Sequence, residues 1–282
     1  MKVKEAIQNK RVLKLFFEED TFPQTREIGR GGSGTVYEGP DFDQVTKIQP
    51  LRFQSPNLTE DMLYKLEGNQ VAIIEVSLLE ALVMENIHSP IFPTLISYTI
   101  FNSEGEFYSK IVMSSQHGSS YKHWVQGAPL KEKLQSWITL FEDLQTVYIN
   151  YDFIHGDLNT ANIFVDCGRL KLIDFGTSSF ILDGVFYYPD YVKRKFLRSF
   201  PSFEFERTSA VDICKILFYA TGIFSEELEE MLDTCSESEH KTRRLWRGGR
   251  SQPAIVIYHG DSNLTYERVL FELKEKFLLL HV

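Results

Sequence analysis

Apolar residues recur along this chain in two rhythms, and the change between them divides it. Residues 24–48 carry short runs of strand character: Thr25-Arg-Glu-Ile28, Thr35-Val-Tyr-Glu38 and Gln44-Val-Thr-Lys-Ile48. Gly, Pro and Asp clusters separate them, which predicts a meander of hairpins. Residues 50–69 are polar and contain Ser55-Pro-Asn57, the texture of a loop or short helix. Val71 to Met84 is apolar with embedded glutamates and long enough for a helix, and strand-like segments follow around Leu95 to Phe101 and Phe107 to Met113. Beyond Met113 the period lengthens. Leu134, Ile138, Phe141, Leu144 and Val147 fall at steps of three and four, one face of a buried helix. Ile163-Phe-Val165 and Leu170-Lys-Leu-Ile173 flank Asp166-Cys-Gly-Arg169, a hairpin signal. From about Val211 the chain reads mainly helical. At the other end, Val3, Ile7, Val12, Leu15 and Phe16 are spaced as in a leading helix, so residues 1–22 read as a helical extension ahead of a domain over 23–282. A β-rich first third followed by a helical remainder is an α+β pattern, two lobes with a cleft between them.

Composition narrows the class. Of 282 residues, 43% are hydrophobic and 24% charged, enough apolar material for a sizeable core. The formal net charge of −9 argues against a general nucleic-acid binder, so direct nucleic-acid binding is not expected. The cationic stretch Lys241-Thr-Arg-Arg-Leu-Trp-Arg-Gly-Gly-Arg250 is a local exception, either a solvated loop or a dock for an acidic partner. Cys167, Cys214 and Cys235 are scattered without CxxC spacing, as in a reduced cytosolic protein. The start, Met1-Lys-Val-Lys-Glu-Ala, has no apolar signal core, and no apolar run approaches the ~18 residues of a membrane span. The expectation is a soluble, cytoplasmic protein without membrane contact.

Three segments carry candidate chemistry. Gly29-Arg-Gly31-Gly-Ser-Gly34-Thr-Val36 fits G-x-G-x-x-G-x-V, a backbone able to close over phosphates with no side chain in the way. It lies between two predicted strands rather than strand and helix, which counts against a dinucleotide fold. Lys47 stands inside the strand Val45-Thr-Lys-Ile48, where an ammonium needs an anionic partner such as nucleotide phosphate or glutamate. Strand alternation puts Val45 on the same face, where it can touch an adenine ring. The third segment is Ile154-His-Gly-Asp157-Leu-Asn-Thr-Ala-Asn162-Ile-Phe-Val165, followed by Leu172-Ile-Asp174-Phe-Gly176. Two aspartates with an asparagine between them suit Mg²⁺, which takes one or two carboxylates plus substrate phosphates. A further carboxylate can orient a hydroxyl and take its proton.

In the order and spacing of these motifs the chain resembles the protein-kinase superfamily over roughly Ile28 to Ile223. The resemblance implies a bilobal kinase-like fold with a small β-rich N-lobe (about 23–113), a hinge (about 114–118) and a reduced helical C-lobe (about 119–282). It implies ATP and Mg²⁺ as cofactors and a protein as phosphoryl acceptor. Gly29, Gly31, Gly34 and Val36 resemble the glycine-rich loop, and Lys47 the lysine of the α- and β-phosphates. Asp157 resembles the catalytic base, Asn162 a ligand of one Mg²⁺, and Asp174 the main Mg²⁺ ligand. Glu75 and Glu80 both sit in the helix that should supply a partner for Lys47, and Glu75 is favoured because it gives the more usual distance along the chain. Val112-Met113-Ser-Ser-Gln116-His-Gly118 resembles the hinge, with Met113 at the back of the adenine pocket. Ala210-Val-Asp212 resembles the buried aspartate beneath the catalytic loop.

The chain departs from the family pattern in four places. Gly156 stands where many regulated kinases have an arginine that pairs with a phosphorylated activation loop, implying activity independent of such phosphorylation. Asn159 stands where serine/threonine kinases usually have a lysine near the γ-phosphate, implying a lower rate. His-Gly-Asp-Leu is similar to RIO, KEOPS-associated, aminoglycoside and choline kinases. No clear Ala-Pro-Glu is present, Phe200-Pro-Ser-Phe-Glu204 being a degenerate version, and the helical lobe is trimmed as in haspin-like, viral and bacterial kinases. The resulting reading is a divergent serine/threonine protein kinase. Its rivals are a small-molecule kinase, and a pseudokinase scaffold that need not retain all of these residues.

Overall fold

The computed structural model describes residues 16–18, 22–31, 34–54, 69–188, 212–213 and 265–279. These fall into two compact units. One comprises residues up to 88, 92–117 and 174–192; the other comprises 89–91, 118–173 and the chain from 193 onward.

The first unit is built on a six-stranded sheet. Its strands, in chain order, are β1 (Phe16–Glu18), β2 (Glu27–Gly31), β3 (Gly34–Glu38), β4 (Gln44–Gln54), β5 (Leu95–Ser103) and β6 (Glu106–Ser114). Across the sheet they run β1-β5-β6-β4-β3-β2, antiparallel except for β1 beside β5. The expected meander is present, and β4 continues past Pro50 to Gln54, where a polar loop was expected; the pairing with β6 is irregular between Pro50 and Gln54. Phe16–Glu18, assigned by apolar spacing to a leading helix, is instead a strand that pairs Phe16 with Thr99 and Glu18 with Phe101. The backbone groups of β5 supply a partner there that no local spacing announces.

Helix α1 (Asn69–Asn86) packs on this sheet. Ile74, Leu78, Leu79, Ala81, Leu82, Val83 and Met84 are all buried, so the helix is apolar on most of its circumference, as an internal helix must be. Its few polar side chains therefore carry the directional contacts. Ser77 Oγ meets Tyr98 Oη of β5 at 3.0 Å, and burial pushes the Tyr98 phenol up to about 12. A hairpin of β10 (Phe180–Leu182) and β11 (Val185–Tyr187) belongs to the same unit and turns at Asp183 and Gly184, both with positive φ.

The second unit holds β7 (Ser119–Ser120), β8 (Ile163–Asp166) and β9 (Arg169–Leu172) as a three-stranded sheet. Its helices are α2 (Tyr121–Gly127), α3 (Leu130–Tyr151) and α4 (Tyr266–Leu279). The predicted face of α3 is buried at Leu134, Ile138, Phe141, Leu144 and Val147, with Trp137 added. Tyr266 of α4 sets its ring against Phe141 and Tyr148, and Lys274 pairs with Glu142 at 2.7 Å. The helix α3 ends at Asp152, whose left-handed backbone (φ 48°) turns the chain towards the loop that follows.

The expectations for residues 1–15, 55–68, 200–204 and 241–250 lie outside the described residues. No described helix is long and apolar enough to cross a membrane.

Candidate active site

Lys47 occupies the middle of β4, opposite Val36 of β3 and Ile111 of β6. Lys47 is 6% exposed. Its ammonium is met from two sides, by Glu80 Oε2 at 2.6 Å and by Asp174 Oδ1 at 3.2 Å. Burial works against the charge, but the two carboxylates outweigh it and hold the Lys47 pKa above the ordinary lysine value. Complete burial pushes Glu80 upward, and the pull of Lys47 opposes that. The carboxylates are not equivalent. Glu80 is sealed in the core at 2% exposure, whereas the Asp174 side chain keeps 33% and can take a further ligand.

The partner of Lys47 is therefore Glu80 and not Glu75, a correction to the choice made on chain distance. The reason is helix phase. Val76 of α1 lies against Gly176, where an added Cβ would overlap Val76 Cγ1. Glu80 is one turn on from Val76 (i, i+4) and shares that stripe, whereas Glu75 points about 100° away. Glu75 is also buried, inside the same unit. The sequence did carry a signal, since a small glycine in Asp174-Phe-Gly176 demands a close neighbour.

Asp174 itself has a left-handed backbone (φ 67°), a conformation that aspartate tolerates better than most residues. It is held there by the two residues that follow. Phe175 next to it is fully buried, with its ring 4.7 Å from Phe92, and Gly176 fits under Val76.

The three motif glycines have different reasons to be glycine. Gly31 and Gly34 face each other where β2 meets β3. At Gly34 (φ 152°) a Cβ would collide with the Ile48 carbonyl oxygen, so packing alone requires it. At Gly29 and Gly31 a Cβ would have no neighbour within 4 Å, leaving bare backbone that packing does not demand. Val45 pairs with Met113 across β4 and β6, so by register Val36, Val45, Lys47 and Met113 share one face of the sheet. Gln116 lies two residues beyond β6, half-buried.

The second unit carries the Asp157 loop. His155 is fully buried, and its backbone N–H donates to Asp212 Oδ2 at 2.5 Å, while Gly156 N–H donates to Oδ1 at 2.8 Å. One buried carboxylate thus takes up two consecutive amides. Nε2 of His155 donates to the Ile173 carbonyl (3.0 Å), which leaves Nδ1 to accept the Asp157 N–H at 3.3 Å. Gly156 has φ 79°, so the residue standing in place of arginine meets a backbone need. Beyond Asp157 the chain makes a single 3₁₀ turn, Thr160–Asn162, and enters β8. Asn162 is buried. Its Nδ2 donates to the Asp157 carbonyl at 2.9 Å, which fixes Oδ1 as the free acceptor, the atom a hard cation takes.

Among the described residues no group of three or more His, Cys, Asp or Glu side chains is placed to hold a metal. Asp174 in the first unit offers a carboxylate and Asn162 in the second an amide oxygen, each an oxygen donor of the kind a hard cation accepts.

Comparison with known proteins agrees with this arrangement. A family model of the protein kinase domain matches residues 22–198. The chain is 29% identical over 165 residues to a probable serine/threonine-protein kinase PknB of Lactococcus lactis subsp. lactis (strain IL1403), a match covering 56% of this chain and 23% of that protein. It is 28% identical over 156 residues to the dual specificity protein kinase Ttk of Danio rerio, covering 54% of this chain and 14% of the other. The matched segments thus span less than a quarter of either relative.

Proposed function

The chain belongs to the protein kinase family, and from that premise we propose that it transfers the γ-phosphoryl group of Mg-ATP to a serine or threonine hydroxyl of a protein. The observation that carries the reading is the buried Lys47 ammonium held between Glu80 and the part-exposed Asp174. A fold needs no such charged cluster in its core, and the cost of burying it is explained by chemistry done there.

In this reading Lys47 contacts the α- and β-phosphates, and the bare backbone at Gly29 and Gly31 gives the phosphate chain N–H donors without steric hindrance. Val36, Val45, Met113 and Gln116 serve the adenine. Asn162 and Asp174 are the Mg²⁺ ligands; when bound, the ion neutralises charge developing on the phosphate oxygens. Asp157 accepts the proton of the attacking hydroxyl as its oxygen bonds to the γ-phosphorus and the bond to the ADP oxygen breaks. His155 and Asp212 touch no substrate and orient the Asp157 backbone.

The test is incubation of the purified protein with Mg²⁺, γ-labelled ATP and generic protein substrates, beside an Asp174→Ala control. Label on protein serine or threonine, absent in the control, is the expected result. No labelled protein despite ATP binding would move the assignment to a small-molecule acceptor or a scaffold.

Gly156 makes a second expectation concrete. With no arginine there to receive a phosphorylated activation segment, phosphatase treatment should leave the rate within about twofold of the untreated protein. Abolished activity would count against it.

A further inference from the structure

Asn159 sits at the position where the family resemblance leads one to expect a lysine cation, and its side chain is engaged elsewhere. Its Oδ1 accepts the Ala161 N–H at 2.9 Å, and its Nδ2 donates to the Asp157 carbonyl at 3.1 Å. Its backbone carbonyl accepts the Asn162 N–H, also at 2.9 Å. The Asp157 carbonyl receives a second amide, Nδ2 of Asn162, at 2.9 Å. Residues 157–162 are therefore closed by four hydrogen bonds, three of them made by Asn159.

We propose that Asn159 is a positioning residue of the phosphotransfer site, its side-chain amide locking Asp157 to the turn that carries the Asn162 ligand. The inference rests on the function proposed above. A 3₁₀ turn of three residues cannot hold itself, because so short a helix makes too few internal bonds. Asn159 caps it with an extended backbone (φ −147°, ψ 167°), the geometry in which a side-chain oxygen takes the orphan N–H two residues on. The other end of the same amide reaches back to Asp157. The amide places an acceptor and a donor on separate atoms, one for each bond; serine has a single hydroxyl on a shorter side chain, enough for the cap alone, and lysine offers donors only. A cation at position 159 and this lock therefore exclude one another. The chain lacks the cation and has in its place a hydrogen-bonded link between the proposed base and the turn that carries the proposed metal ligand.

The expected outcome runs against simple charge reasoning. Asn159→Lys, although it installs the family's cation, should lower kcat by about tenfold or more, with the KM for ATP changed less than about twofold. It should also raise the Mg²⁺ concentration needed for half-maximal rate. Amide hydrogen exchange of the full-length protein should speed up in the peptide containing Ala161 and Asn162, and not elsewhere. Asn159→Ser, which retains the cap, should keep that protection and recover part of the rate. An Asn159→Lys protein as fast as wild type, or one with unchanged exchange at residues 157–163, overturns the proposal. Should wild type transfer no phosphoryl group, the phosphotransfer reading fails, and the exchange comparison still decides whether Asn159 holds the turn.

Discussion

Asp157→Asn is expected to reduce turnover by roughly 10²–10⁴-fold while leaving ATP affinity near the wild-type value. The large effect follows from removing the proposed proton acceptor, and the small one from where the structure anchors this residue. Its N–H is bound by His155 Nδ1 and its carbonyl by the amides of Asn159 and Asn162, so the backbone is fixed whatever the side chain carries. Asparagine has nearly the same shape and should leave the loop in place. Single-turnover rates and a nucleotide titration on the same preparations separate the two quantities. Turnover at the wild-type level would show that the proton goes elsewhere.

The second large effect is expected at Glu80. Glu80→Gln removes the stronger of the two partners of a buried ammonium, and breaking a buried pair from one side costs about 3–5 kcal/mol. Asp174 remains at 3.2 Å, but its side chain is a third exposed and water screens it. It would then be drawn towards Lys47 and away from any cation it binds. Chemical denaturation should show the stability loss, and ATP titration in Mg²⁺ should show weakened binding. Glu75→Gln is the discriminating control: it should leave ATP affinity within about twofold, because Glu75 is off the Lys47 stripe. The reverse pattern would mean that Lys47 pairs with Glu75 in the working protein.

That contrast also shows where the sequence could be read and where it could not. Asp157, Asn162 and Asp174 could be proposed from the sequence because they stand at short, characteristic spacing; Lys47 stood out because a lysine within an apolar strand needs an anionic partner, which Glu80 and Asp174 supply. The choice between Glu75 and Glu80 was not. It depends on the rotation of α1 about its axis, which Val76 against Gly176 and Ser77 against Tyr98 decide across more than twenty residues of chain. Phe16–Glu18 was misread for a related reason, since a three-residue strand draws its definition from β5. The β10–β11 hairpin is a different case. Asp183-Gly184 between Phe180-Ile-Leu182 and Val185-Phe-Tyr187 is a strong turn signal that stands in the sequence, yet no element was expected there. In Asn159 the sequence displayed only a missing charge; the bonds that give the residue its use exist only once the turn has formed.

The fit of Gly176 under Val76 makes those two positions a natural pair for genetics. A methyl group at 176 would need the space that Val76 Cγ1 fills, so Gly176→Ala should push α1, and Glu80 with it, off Lys47. Shortening the opposing side chain removes the overlap with Cγ1 and leaves the Val76 carbonyl oxygen 3.2 Å away, a tight but adjustable contact. Selection for revertants of a Gly176→Ala strain should therefore return Val76→Ala or Val76→Gly. The double variant, closer to wild type than Gly176→Ala alone, would tie the two positions to this one contact.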